Sequence, residues 1–173
     1  LNTSPSGQFQ LSKKINGKTK VSLKRTDSFL GRVENIKFTI FFENGDLKIK
    51  SGSANLGNNS KINFNLSLLG KGKDQRIIFF INFLSNDGEK FLKKFNINSK
   101  SNEISINTSG KISTTYRKVK FDKLTLNNEK INREKVNDIE AMFNKHVLQE
   151  NVFGFFDFFK IKKFIFETYS NLD

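Results

Sequence analysis

Few side chains in this 173-residue chain are of a kind that does chemistry. His146 is the sole histidine, and there is no cysteine. A general base or a metal ligand needs partners within reach, and no second histidine or thiolate can supply one. His146 therefore reads as a surface or boundary residue beside the apolar stripe of a helix. Carboxylates come in two close pairs, Glu43 with Asp46 and Asp87 with Glu89. Such pairs could do acid–base work or hold a cation. The first flanks an Asn-Gly turn and the second opens a helical stretch, so turn and cap chemistry accounts for both. Gly70-Lys71-Gly72-Lys73 is a basic loop, but no glycine set has the spacing of a phosphate-cradling loop. No catalytic residue, cofactor or metal is expected.

The net charge is +13, which raises nucleic acid or an anionic membrane surface as partners. Of the 30 basic residues 25 are lysines, spread along the chain amid abundant Asn, Ile and Phe. An AT-rich genome over-uses these residues, so part of the charge reflects coding bias. Single-stranded nucleic acid stacks its bases on exposed rings. Here 20 Phe stand beside two Tyr and no Trp, and the Phe residues alternate inward. Nucleic acid is the lesser reading.

The absence of cysteine rules out disulfides and fits either the cytosol or an oxidising periplasm. No apolar run approaches the roughly 20 residues that span a bilayer, and no signal peptide is present. The chain opens on Leu1 rather than Met. That fits the C-terminal part of a longer chain, whose anchor would lie upstream, and equally a processed terminus.

The elements behind these residues are mostly strands. The stretch 36–70 alternates apolar and polar residues in three runs. Ile36, Phe38, Ile40 and Phe42 precede Asn44-Gly45, the strongest short hairpin signal. Leu47 and Ile49 follow, then Gly57-Asn58-Asn59, then Ile62, Phe64, Leu66 and Leu68. This is a meander with one apolar and one polar face. Before it, Phe9 and Leu11 with Val21 and Leu23 flank Asn16-Gly17 as a first hairpin. After it, RIIFFINFL (76–84) carries Ile77, Phe79, Ile81 and Phe83 on one side and Ile78, Phe80 and Leu84 on the other, the pattern of a strand covered on both faces. Its cover is expected from a short helix holding Phe91, Leu92 and Phe95, with Asn86 and Glu89 as a capping box.

Ile104 and Ile106 form a strand ending at Ser109-Gly110, and Ile112, Thr114 and Tyr116 begin another. Val119, Phe121, Leu124 and Leu126 continue the β structure to Asn127-Asn128. Asn132 then caps a helix with Val136, Ile139, Phe143 and Val147 on one face. In the Phe-rich tail, Phe159, Ile161, Phe164 and Ile165 line one side of a last helix. The fold class is mainly β with α (α+β): an antiparallel twisted β-meander sheet, a short helix after the main sheet, and C-terminal helices. Residues 1–6 are a disordered start, 7–131 the sheet domain with its helix near 87–95, and 132–173 a helical segment packing on the sheet.

The order FTIFFENGDLKIKSGSANLG, INFNLSLLG, RIIFFINFL, NDGEKFLKKFNI resembles the C-terminal region of AsmA-like proteins, including the TamB and YhdP relatives. Their strands likewise pair around a turn glycine. The tail from Phe121 to Tyr169 is similar to the ends of such proteins in AT-rich bacteria. Where the family often has a Gly-Gly turn, this chain has Gly57-Asn58-Asn59.

The resemblance implies a non-enzymatic envelope protein, anchored in the inner membrane and extending through the periplasm as a twisted sheet with a hydrophobic groove. It implies a role in phospholipid transport between membranes or in outer-membrane assembly. Partners would be phospholipid acyl chains and the membrane surface, with other envelope proteins as further candidates. The groove candidates are Phe38, Ile40, Phe42, Phe64, Leu66, Leu68, Phe79, Ile81 and Phe83, the first six forming its open part. A nucleic-acid-binding β-domain and a structural piece of a larger secreted β-protein are the alternatives.

Overall fold

The computed structural model describes residues 12–28, 31–57, 59–152, 154 and 157–170. Among these described residues eight antiparallel strands form one open sheet in strict sequence order. They are β1 (Gly17–Ser28), β2 (Gly31–Glu43), β3 (Asp46–Asn55), β4 (Ser60–Leu69), β5 (Arg76–Ser85), β6 (Ile104–Ser113), β7 (Lys118–Leu126) and β8 (Glu129–Lys130). Three α-helices accompany them among the described residues: α1 (Gly88–Lys93), α2 (Arg133–His146) and α3 (Phe158–Ser170). This is the meander with late helices that the alternation predicts. The proposed disordered start and Phe9 and Leu11 lie outside the described residues; Val21 and Leu23 fall in β1, which pairs with β2.

The turns follow from residues that tolerate left-handed backbone. Asn44 and Gly45 have φ of 53° and 88°, and Asn127 and Asn128 have 51° and 65°. Two consecutive positive φ values give a turn whose twist matches the strands it joins. Asn16 Oδ1 accepts the Asn44 N–H at 2.9 Å, tying the start of β1 to the β2–β3 turn.

All three helices lie on the apolar side or at the β7 edge. Phe83 of β5 meets the Phe91 ring of α1 with centroids 4.4 Å apart, and Phe95 just beyond α1 is 1 % exposed. These belong to one core cluster with Val33, Ala54, Leu56 and Ile104. A second cluster joins Ile77, Phe79, Ile112, Val119 and Phe121 of the sheet to Val136 and Ile139 of α2. Burying each such side chain contributes about 1.5–3 kcal/mol. The last helix bridges the two: Ile161 and Phe164 pack on the second cluster, Ile165 and Tyr169 on the first.

Four details depart from the sequence reading. Strand β6 does not end at Ser109-Gly110 but runs on to Ser113. Gly110 is there because a Cβ would stand 2.3 Å from the Lys120 carbonyl oxygen and 3.0 Å from the Phe79 ring. It marks close approach within a strand, not a turn. The cap of α1 is Asp87, whose side chain accepts the Lys90 N–H; Glu89 instead pairs with Lys93 at 2.7 Å. Strand β5 is not covered on both faces. The first helix sits on the Phe83 side, leaving Ile78 40 % and Phe80 43 % exposed. Finally, Phe159 is 80 % exposed, away from the side of α3 that carries Phe164.

Candidate functional site

The pairing registers arrange the apolar face in rows that cross the strands. One row runs Phe42, Leu47, Leu68, Ile77, Ile112, Val119. The next runs Ile40, Ile49, Leu66, Phe79, Gly110, Phe121. Directly paired side chains on one face stand about 5 Å apart, so each row is a continuous apolar track.

The helices cover only part of these tracks. Phe79 and Phe83 are core residues, 7 % and 6 % exposed. Leu66, Leu68 and Ile81 are half-buried and pack against the second cluster. Phe38, Ile40, Phe42 and Phe64 are also half-buried, but they belong to neither cluster. Leu47 and Ile49 share that position and complete the group; the alternation contains them, although they are not among the groove candidates. The result is an apolar shelf on β2–β4, open among the described residues, that passes into a roofed core on β5–β7.

A local irregularity shapes the shelf. Strand β3 shifts register between Ile49 and Gly52, with Ser51 at φ 53°. A Cβ on Gly52 would come within 2.5 Å of the Phe64 ring. The missing side chain lets that ring lie across β3 towards Phe38, 6.4 Å away between centroids.

The residues of chemical type are engaged structurally. His146 is buried, not at the surface, and its Nε2 lies 2.5 Å from a Glu167 carboxylate oxygen, joining α2 to α3. Glu43 pairs with Lys48 at 2.6 Å, and that hydrogen bond holds its carboxyl below the usual range. Asp87 is held low by its hydrogen bond from the Lys90 ammonium, and the Lys90 backbone N–H adds to it. Among the described residues no group of three or more His, Asp or Glu side chains could hold a metal ion. No described helix is long and apolar enough to cross a membrane.

Comparison with protein-family models, with curated proteins and with solved structures finds nothing that matches this chain.

Proposed function

We propose that the open shelf receives the acyl chains of phospholipid, and that the chain is a non-enzymatic domain of the AsmA-like kind. In this reading it serves phospholipid transport between membranes or outer-membrane assembly, as the periplasmic part of an envelope protein. The observation that supports it is the continuity of the two rows from the uncovered half of the sheet into the core. An apolar shelf of this sort asks for an occupant that needs no hydrogen bonds and follows a track.

The energetics suit an acyl chain. Each buried methylene contributes about 0.8 kcal/mol, so a few shelf residues hold a tail without any polar contact. Successive residues along a row offer nearly equivalent seats, so a chain can slide with little change in energy. A contiguous group of half-buried apolar side chains that no described helix covers is the kind of surface that marks an interaction site.

The test is extraction of purified protein with organic solvent, followed by mass spectrometry of the lipid fraction. Phospholipid should co-purify with the wild type. Phe38→Asp should lose it while the circular dichroism spectrum stays that of the folded sheet. A folded wild-type protein that carries no lipid, and takes none up from vesicles, would sink the proposal.

A further inference from the structure

The opposite face of the sheet holds a second feature that owes nothing to the shelf. At the corner where β5, β6 and β7 meet α2 lies a cleft of about 730 Å³, lined among others by Lys73, Arg76, Lys111, Lys118, Lys120 and Tyr116. We propose that this cleft binds a phosphate-bearing anion of two or more charges.

The register sets the cations side by side. Arg76 pairs with Ser113, and Ser113 with Lys118. In the next row on that face Ile78 pairs with Lys111, and Lys111 with Lys120. Like charges directly opposite one another across strands destabilise the pair. Within the protein the repulsion is only partly relieved. The Lys120 ammonium donates to Glu140 at 3.1 Å, but Arg133 draws on the same carboxylate at 3.2 Å. Among the described residues Lys73, Lys111 and Lys118 form no ion pair. Among the described residues the Arg76 side chain donates to the Asp74 backbone carbonyl, at 3.4 Å, and to no carboxylate. Five cations thus face two carboxylates, Asp74 and the already shared Glu140.

Clustered cations of one sign raise the local concentration of anions around the concavity. The guanidinium of Arg76 offers a fork that matches two phosphate oxygens, and lysines supply point charges around it. Ser113 Oγ accepts the Tyr116 N–H at 3.2 Å, which leaves its own proton free to donate. The exposed side chains of Ile78 and Phe80 lead away from the cleft along β5, so an anion with an apolar body has a surface to rest on. A free phosphate compound and a lipid headgroup would use the same cations.

The experiment is a ¹⁵N–¹H NMR titration of the full chain with inorganic pyrophosphate and, separately, with dihexanoyl phosphatidate. Both should saturate, with the largest shifts at Arg76, Lys111, Ser113 and Lys118. Movement of Ile78 and Phe80 with the phosphatidate alone would assign the natural source to lipid; no movement there would assign it to a free phosphate compound. The double variant Lys111→Gln/Lys118→Gln should weaken pyrophosphate about tenfold or more, the effect of losing one or two charge-assisted hydrogen bonds. The control Lys18→Gln/Lys20→Gln, far along the same face, should leave it unchanged. Shifts that never saturate, spread equally over Lys18, Lys37 and Lys50, or survive the cleft variant, would overturn the site. So would an oligo-dT strand that perturbs the whole lysine face with no preference for the cleft.

Discussion

Glu140 of α2 accepts the backbone N–H of Phe121 on β7 through Oε1 at 2.9 Å. It is one of three side-chain bonds by which the helix completes the edge of the sheet. Asn144 Oδ1 accepts the Val119 N–H at 2.7 Å, and Arg133 Nη1 donates to the Phe121 carbonyl at 3.1 Å. Strand β8 pairs only with Thr125 and Leu126, so the first half of β7 would otherwise present bare backbone groups, the usual starting point for edge-to-edge aggregation. The Glu140 side chain is 9 % exposed and shared by Lys120 and Arg133. Glu140→Ala should therefore cost roughly 1–3 kcal/mol, chiefly because it leaves one edge amide without its acceptor, whereas Lys120 and Arg133, each about half exposed, return to water. Urea denaturation measures the loss, and hydrogen exchange should show faster exchange at the Phe121 amide. Glu140→Gln keeps an acceptor for that amide and should cost less than the alanine variant.

Gly110 tests the close approach of β6 and β7. A methyl group there has no room beside the Lys120 carbonyl and the Phe79 ring. Gly110→Ala should destabilise by about 1–3 kcal/mol, the range for overpacking. A thermal melt as stable as wild type would show that β6 can bow outward and that the register at Gly110 is not tight.

The fold was legible because the meander alternates with a period of two and turns on Asn and Gly; both signals are local. The Asn132 cap and the Val136–Ile139 stripe were legible for the same reason. Gly110 was misleading because a glycine in a strand and a glycine in a turn look alike until the neighbouring strand is in place. The uncovered face of β5 is hidden in the sequence because a run of Ile and Phe resembles a buried strand, and nothing local says that α1 turns back over the Phe83 side. In the candidate site, Phe38 to Phe64 were visible from alternation. Which of them stay uncovered depends on where three helices land, and that is a long-range matter. Of the basic cleft only Lys73, in the Gly70–Lys73 basic loop, shows in the chain; Arg76, Lys111 and Lys118 meet it only through strand register.

The exposure of Ile78 and Phe80 carries its own consequence. Substituting either with Asn should cost only about 1 kcal/mol, from lost partial burial and strand propensity. Phe83→Ala, on the roofed side of the same strand, should cost about 3–5 kcal/mol. Equal losses at Phe80 and Phe83 in chemical denaturation would mean that both faces of β5 are covered after all.

Asp87 gives a pH dependence whose sign is fixed by its partners. Its folded-state pKa lies below the ordinary carboxylate value because Lys90 donates to it from both side chain and backbone. The ionised cap therefore favours the folded state above the unfolded pKa, and that contribution fades as pH falls through the lowered folded value. Comparing wild type with Asp87→Ala across acid titration, the stability gap should be widest near neutrality and narrow on acidification. A gap that is constant with pH would show that the carboxylate charge plays no part in the cap.

The central claim, that acyl chains lie on the open half of the apolar face, is tested most directly by site-specific photocrosslinking. Benzoylphenylalanine replaces Ile40 or Ile49 on the shelf and, as a control, Asn63, which is exposed on the other face of the sheet. Each protein is incubated with phospholipid vesicles, irradiated and weighed by mass spectrometry. Phospholipid adducts are expected at positions 40 and 49 and none at 63. Adducts equally at all three positions, or at none with the sheet intact, would contradict the claim.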